Sequence, residues 1–140
     1  MSFPLIEVGR VLQREIDAIA EDQYLTAREA KTLLVLADEG PLRPSLLAER
    51  AAIGRPDVTR ALQSLERAGL AGRIGSYDGR SATLIPTERG KEVAGGIAKA
   101  IEEAEVQILA ELKPSALKAL LAILEALMPR RLDPIAEMFR

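Results

Sequence analysis

Between Pro56 and Ala68 the sequence sorts two kinds of residue onto opposite sides of a helix. Val58, Ala61, Leu62, Leu65 and Ala68 fall on one face, and Thr59, Arg60, Gln63 and Arg67 fall on the other. The outer set has the chemistry to read DNA. An arginine bonds guanine O6 and N7 in pairs, a glutamine suits adenine, and a threonine suits a phosphate or the thymine methyl. Arg55 stands beside Pro56 at the helix start, where unpaired backbone N–H groups already favour phosphate. Taken alone, the same face also fits the solvated side of an amphipathic helix, so the surrounding elements must decide.

Two further groups of charge invite a reading. Gly72-Arg73-Ile74 and Ala82-Thr83-Leu84-Ile85 flank Gly75-Ser76-Tyr77-Asp78-Gly79-Arg80, the pattern of two short strands around a turn. At that turn Asp78 is placed to pair with Arg80 or Arg73 and brace the loop, while Arg80 at the tip has the reach to enter a minor groove. A local surface ion pair, worth under about 1 kcal/mol, is the plainer reading. In the first helix Arg10 and Arg14 lie one turn apart, a like-charge pair that an anion would relieve. Asp17 or Glu7 could supply it, or Arg14 with Tyr24 and Arg28 receives the carboxylate of a ligand.

The elements that must position these groups are legible from periodicity and caps. Leu5, Val8, Leu12, Ile16 and Ile19 define an amphipathic helix over 5–20. Thr26 with Glu29 forms a capping box for a second helix, which Gly40-Pro41 ends. A short helix around Leu46–Ala51, a break at Gly54 and the helix from Pro56 make a helix-turn-helix with a tight glycine-containing turn. Thr87 caps a long helix from Glu88 to about Leu112, which Gly95-Gly96 should weaken or bend. Pro114 opens a last helix with Leu117, Leu120, Leu121, Leu124 and Leu127 inward, and the 130–140 tail is apolar enough to dock. The terminal helices carry more apolar surface than the small middle segment can cover, so either a partner subunit covers them or they bundle within one chain.

Composition narrows the function classes. The chain has 140 residues, 48% hydrophobic and 29% charged, too apolar for disorder, and lacks the unbroken apolar run of a membrane span. With no Cys and no His, thiolate and imidazole metal sites, thiol nucleophiles and histidine triads are excluded. An enzyme is not expected, nor a cofactor or metal. The N-terminus shows no basic segment followed by an apolar one, which points to the cytoplasm. The formal charge of −2 conceals its distribution: residues 1–40 carry −4, residues 41–91 carry +4 and residues 92–140 carry −2. A basic segment between acidic ends is the asymmetry of a DNA-reading module on an acidic scaffold.

Over residues 25–90 the sequence resembles the winged helix-turn-helix core of the multiple antibiotic resistance regulator (MarR) family. The matching pieces are Leu25-Thr26-Ala27-Arg28-Glu29, Gly40-Pro41-Leu42, Ser45-x-Leu47-Ala48-Glu49-Arg50, Val58-Thr59-Arg60-x-Leu62-x-x-Leu65-Glu66-x-x-Gly69-Leu70, Arg73, Asp78-Gly79-Arg80 and Thr87-Glu88-x-Gly90. Each is weak alone, and their order and spacing make the set specific. The resemblance implies a mostly α fold with a small β-hairpin, a winged helix-turn-helix core flanked by long dimerisation helices. Residues 1–24 would be the N-terminal dimerisation helix, 25–91 the DNA-binding lobe, and 92–140 the C-terminal dimerisation helices and tail. It further implies a homodimer on pseudopalindromic double-stranded DNA, repressing neighbouring genes until a small organic effector, often an aromatic acid, enters a pocket between lobe and dimer helices. Carried over by position, the DNA contacts would be Ser45, Arg55, Thr59, Arg60, Gln63, Arg67 and Arg80, with Arg73 and Asp78 bracing the wing. Pro56-Asp57 departs from the usual Ser-Thr pair, and a carboxylate there must either accept a bond from cytosine or turn aside. That carboxylate and the acidic total also suit a winged-helix protein-interaction module without specific DNA binding.

Overall fold

The computed structural model describes residues 4–75, 82–123 and 126. The elements run α1 Pro4–Asp22, α2 Ala27–Glu39, α3 Pro44–Ala51, α4 Arg55–Arg67, β1 Ala71–Ile74, β2 Thr83–Pro86 and α5 Glu88–Ala110, with a further helical run over 114–123. This is the mostly helical plan with one small hairpin that the sequence implies. The chain divides into two compact units, Met1–Glu102 and Glu103–Arg140. Among the described residues no helix is long and apolar enough to cross a membrane.

The helix boundaries follow from identifiable atoms. Thr26 Oγ1 accepts from the Glu29 N–H at 3.1 Å and opens α2, and Gly40, at φ 78°, closes it by donating its N–H to the Leu36 carbonyl. Thr87 Oγ1 accepts from the Gly90 N–H at 3.0 Å and opens α5, while its hydroxyl donates to the Gly69 carbonyl at 2.6 Å. Gly95 and Gly96 lie inside α5 without interrupting it.

α2 is the hub of the first unit, packing against α1, α3, α4 and β2. Leu33 and Leu36 of α2, Leu47 of α3, Leu62 and Leu65 of α4, Leu84 of β2 and Ile97 of α5 are all fully buried. Each such side chain contributes about 1.5–3 kcal/mol relative to exposure. The one buried polar side chain among the described residues, Thr32, donates to the Arg28 carbonyl at 2.7 Å and so carries no unmet hydrogen bond.

β1 and β2 pair antiparallel, Ala71 opposite Pro86 and Ile74 opposite Thr83, within a residue of the strands expected. A third attachment has no sequence signature. Leu42, before α3, exchanges both backbone bonds with Leu84, at 3.0 and 2.7 Å, and fastens the hairpin to the start of the helix-turn-helix.

The turn between α3 and α4 contains the expected glycine, in an ordinary backbone conformation. Gly54 has φ −59° and serves as the N-cap of α4, whereas the left-handed position is held by Ala52 at φ 53°. An L-residue pays roughly 1–2 kcal/mol there. Ala52→Gly is therefore expected to raise stability by about 0.5 kcal/mol after the added unfolded-state freedom is offset, read as a higher urea midpoint. A lower midpoint would show that the Ala52 methyl packs more usefully than the turn geometry implies. Ala68, expected inward, is exposed just past the end of α4.

Several large apolar side chains remain on the surface. Val11 and Leu12 of α1 are exposed in the first unit, and Val106, Ile108, Leu112, Leu121 and Ile123 in the second. Leu124, Leu127 and the 130–140 tail lie outside the described residues.

Candidate nucleic-acid interface

The face separation read from the sequence is realised in α4. Val58, Ala61, Leu62 and Leu65 are buried, and Thr59, Arg60, Gln63 and Arg67 are exposed on the opposite side. Because the inner residues are locked into the core, the outer ones are presented from a rigid rod. Arg55 is exposed in the first turn of α4, and Ser45 in the first turn of α3. The Thr59 hydroxyl donates to the Arg55 carbonyl at 2.9 Å, so Thr59 offers a partner its methyl group and an acceptor oxygen. Arg67 Nε donates to the Gln63 carbonyl at 3.3 Å. Among the described residues, no carboxylate pairs with Arg55, Arg60 or Arg67.

The two acids of α4 are engaged from outside the helix. Glu66 Oε1 accepts from Arg73 Nε of β1 at 2.8 Å. Asp57 Oδ1 lies 3.2 Å from Arg28 Nη1 of α2, so this carboxylate has turned aside from the outer face. Arg73 was expected to join Asp78 in bracing the hairpin. It ties β1 to α4 through Glu66, while Asp78 and Arg80 lie outside the described residues.

Three concavities lie on or near this surface, one of them, about 340 Å³, beside Gln63, Glu66 and Arg67 of α4. A shallow groove of about 400 Å³ runs between the start of α2 and α4, lined by Thr26, Arg28, Glu29, Asp57, Arg60 and Ser64 among others. A cavity of about 550 Å³ lies on the other side of α2, lined by Gln13 and Ile16 of α1, Arg28, Lys31 and Leu34 of α2, Ile53 of the turn and Ile101 of α5. Apolar walls with two cations and one amide suit a flat apolar acid. Of the four residues expected at a ligand site, Arg28 lines this cavity. Arg10 and Arg14 are exposed on α1 and Tyr24 is 97% exposed in the turn after it, none of them in the lining. Of the two acids expected to answer the arginine pair, Asp17 accepts from Gln13 Nε2 at 2.9 Å, and the Glu7 side chain lies outside the described residues.

The rest of the lining was missed because Ile16, Leu34 and Ile101 carry the periodicity of core residues. Only the assembled helices leave a gap between them. One signal was present: Lys31 follows Arg28 by three residues, which puts two cations on one side of α2.

Residues 24–84 match the family model described as the sugar-specific transcriptional regulator TrmB. The chain is 32% identical over 126 residues to the HTH-type transcriptional regulator FarR of Neisseria gonorrhoeae, spanning 87% of this chain and 86% of that one. Among solved structures it is similar to the Mycobacterium tuberculosis MarR family protein Rv2887 in complex with DNA, with 27% identity and a TM-score of 0.72 over 88% of this chain and 93% of that one. It is also similar to NadR in complex with 4-hydroxyphenylacetate, with 26% identity and a TM-score of 0.68 over 89% of each chain.

Proposed function

The chain belongs to the MarR family of winged-helix transcriptional regulators, and on that premise we propose that it acts in the cytoplasm as a homodimeric repressor of neighbouring genes. Two copies of α4 enter successive major grooves of a pseudopalindromic operator, and a small aromatic acid in the cavity beside α2 releases them. The observation that carries this reading is the outer face of α4. Its three arginines have no acidic partner among the described residues, while both acids of the same helix are neutralised by Arg28 and Arg73. A helix that only faced solvent would gain nothing from that division of charge.

Two supports are secondary. The exposed apolar residues of α1 and of the 103–140 unit are the surface that a second copy would cover, consistent with dimerisation segments at 1–24 and 92–140. A relative has been solved with DNA and another with 4-hydroxyphenylacetate, whose carboxylate and ring match the cations and apolar walls of the cavity. In this reading Ser45, Arg55, Thr59, Arg60, Gln63 and Arg67 contact DNA, with Arg80 at the wing tip. Arg28 and Lys31 face the effector.

Selecting bound DNA from a random pool tests the proposal directly. The expected product is an inverted repeat with half-sites about one helical turn apart, bound by a dimer in sedimentation. A pool that never enriches would refute specific DNA binding and favour a protein-interaction role.

A further inference from the structure

Arg28 faces two ways. Arg28 lines the cavity beside Lys31 and also lines the groove against α4, where its guanidinium holds Asp57 at 3.2 Å. Asp57 sits in the first turn of α4, between Arg55 and Thr59 and three residues before Arg60. Its side chain is 34% exposed, so a carboxylate that lost its partner would face solvent on the rim of the proposed DNA surface. One residue therefore borders the cavity and is paired with the single acid in the first turn of α4.

We infer that Arg28 is a switch residue that an aryl carboxylate in the cavity and Asp57 compete for, so that effector binding is read by the DNA surface as an uncovered negative charge. This rests on the function proposed above and deepens it. With the cavity empty, Arg28 cancels Asp57 and the start of α4 is net positive beside phosphate. With a carboxylate in the cavity, Arg28 turns toward it and Asp57 stands alone beside Arg55. Repulsion between a released carboxylate and a phosphate at the groove rim then weakens operator binding. The coupling is reciprocal, so operator DNA must weaken effector binding by the same factor. The other acid of α4 is outside this competition, because Glu66 is held by Arg73, which does not line the cavity.

The test is a double-mutant cycle on the full chain with its selected operator, followed by fluorescence anisotropy. Arg28→Met should weaken binding about fivefold, the scale of one unit charge at contact distance in a largely aqueous setting. In an Asp57→Asn background the same change should cost less than about twofold, and Arg28→Lys should bind like the wild type. Arg28 is well exposed, so these variants should fold, and circular dichroism verifies it. Saturating benzoate should weaken the wild type and leave Asp57→Asn nearly unmoved. Equal losses for Arg28→Met in both backgrounds would mean that Arg28 grips phosphate directly, and would overturn the switch while leaving the regulator intact. Equal loss with benzoate in wild type and Asp57→Asn would overturn it as well, and a wild type indifferent to benzoate removes the aryl carboxylate as its trigger. A wild-type chain that binds no DNA defeats the proposed function and the switch together.

Discussion

Gly90→Ala is expected to lower the unfolding free energy by about 3 kcal/mol or more, because an added methyl there would meet backbone. An added Cβ at Gly90 would lie 2.0 Å from the Leu70 carbonyl oxygen and 2.9 Å from its carbon. Both partners are backbone, so no rotamer change relieves the clash. The segment also has little freedom to retreat. The Leu70 carbonyl accepts from the Thr87 N–H at 3.1 Å, the Gly69 carbonyl accepts from Thr87 Oγ1, and Thr87 in turn caps Gly90. Moving α5 away breaks that network; moving Leu70 disturbs β1 and the end of α4. For a chain of this size the loss corresponds to a fall in melting temperature of roughly 10 °C. A melt within about 2 °C of the wild type would mean that the first turn of α5 is far more plastic than its hydrogen bonds imply.

The same junction shows what a sequence can and cannot carry. Thr87 is legible as a cap because its partner is three residues away, and the two faces of α4 are legible because helical period is a local property. The reason for glycine at 90 depends on a carbonyl twenty residues earlier, reached only after the hairpin folds back. Asp78, the nearest acid in the turn and the expected partner of Arg80 or Arg73, lies outside the described residues, and the acid that Arg73 meets within them is Glu66 on the preceding helix. Leu42 pairing with Leu84 is of the same kind, since a lone bridge leaves no alternating pattern. The cavity is the extreme case: its walls come from α1, α2, the α3–α4 turn and α5, and most of its lining reads as ordinary core. Arg28 stands out in the sequence by its charge, but its partner Asp57 is visible there only as an anomaly at the start of α4. Local periodicity therefore locates the outer face of α4, and long-range packing decides which charges of that helix are paired.

Arg60→Ala should reduce operator binding by ~1–3 kcal/mol for each recognition helix, roughly 5- to 150-fold, if Arg60 reads a base edge. Arg60 is exposed one turn into α4 and lines the groove beside Asp57 and Ser64, with no carboxylate paired to it among the described residues. Salt dependence separates the two ways it can act. A phosphate contact lowers affinity uniformly over sequences and flattens the log–log salt slope by about 0.9 for each copy lost. A base contact relaxes preference at one position of each half-site and leaves the slope nearly unchanged. The net charge of −2 gives this measurement its leverage. Acidic ends oppose indiscriminate attraction to DNA, so binding must rest on a few placed cations, and removing one of them removes a large share. An Arg60→Ala chain that binds within about twofold of the wild type, together with a flat salt response, would transfer the outer face of α4 from DNA to a protein partner.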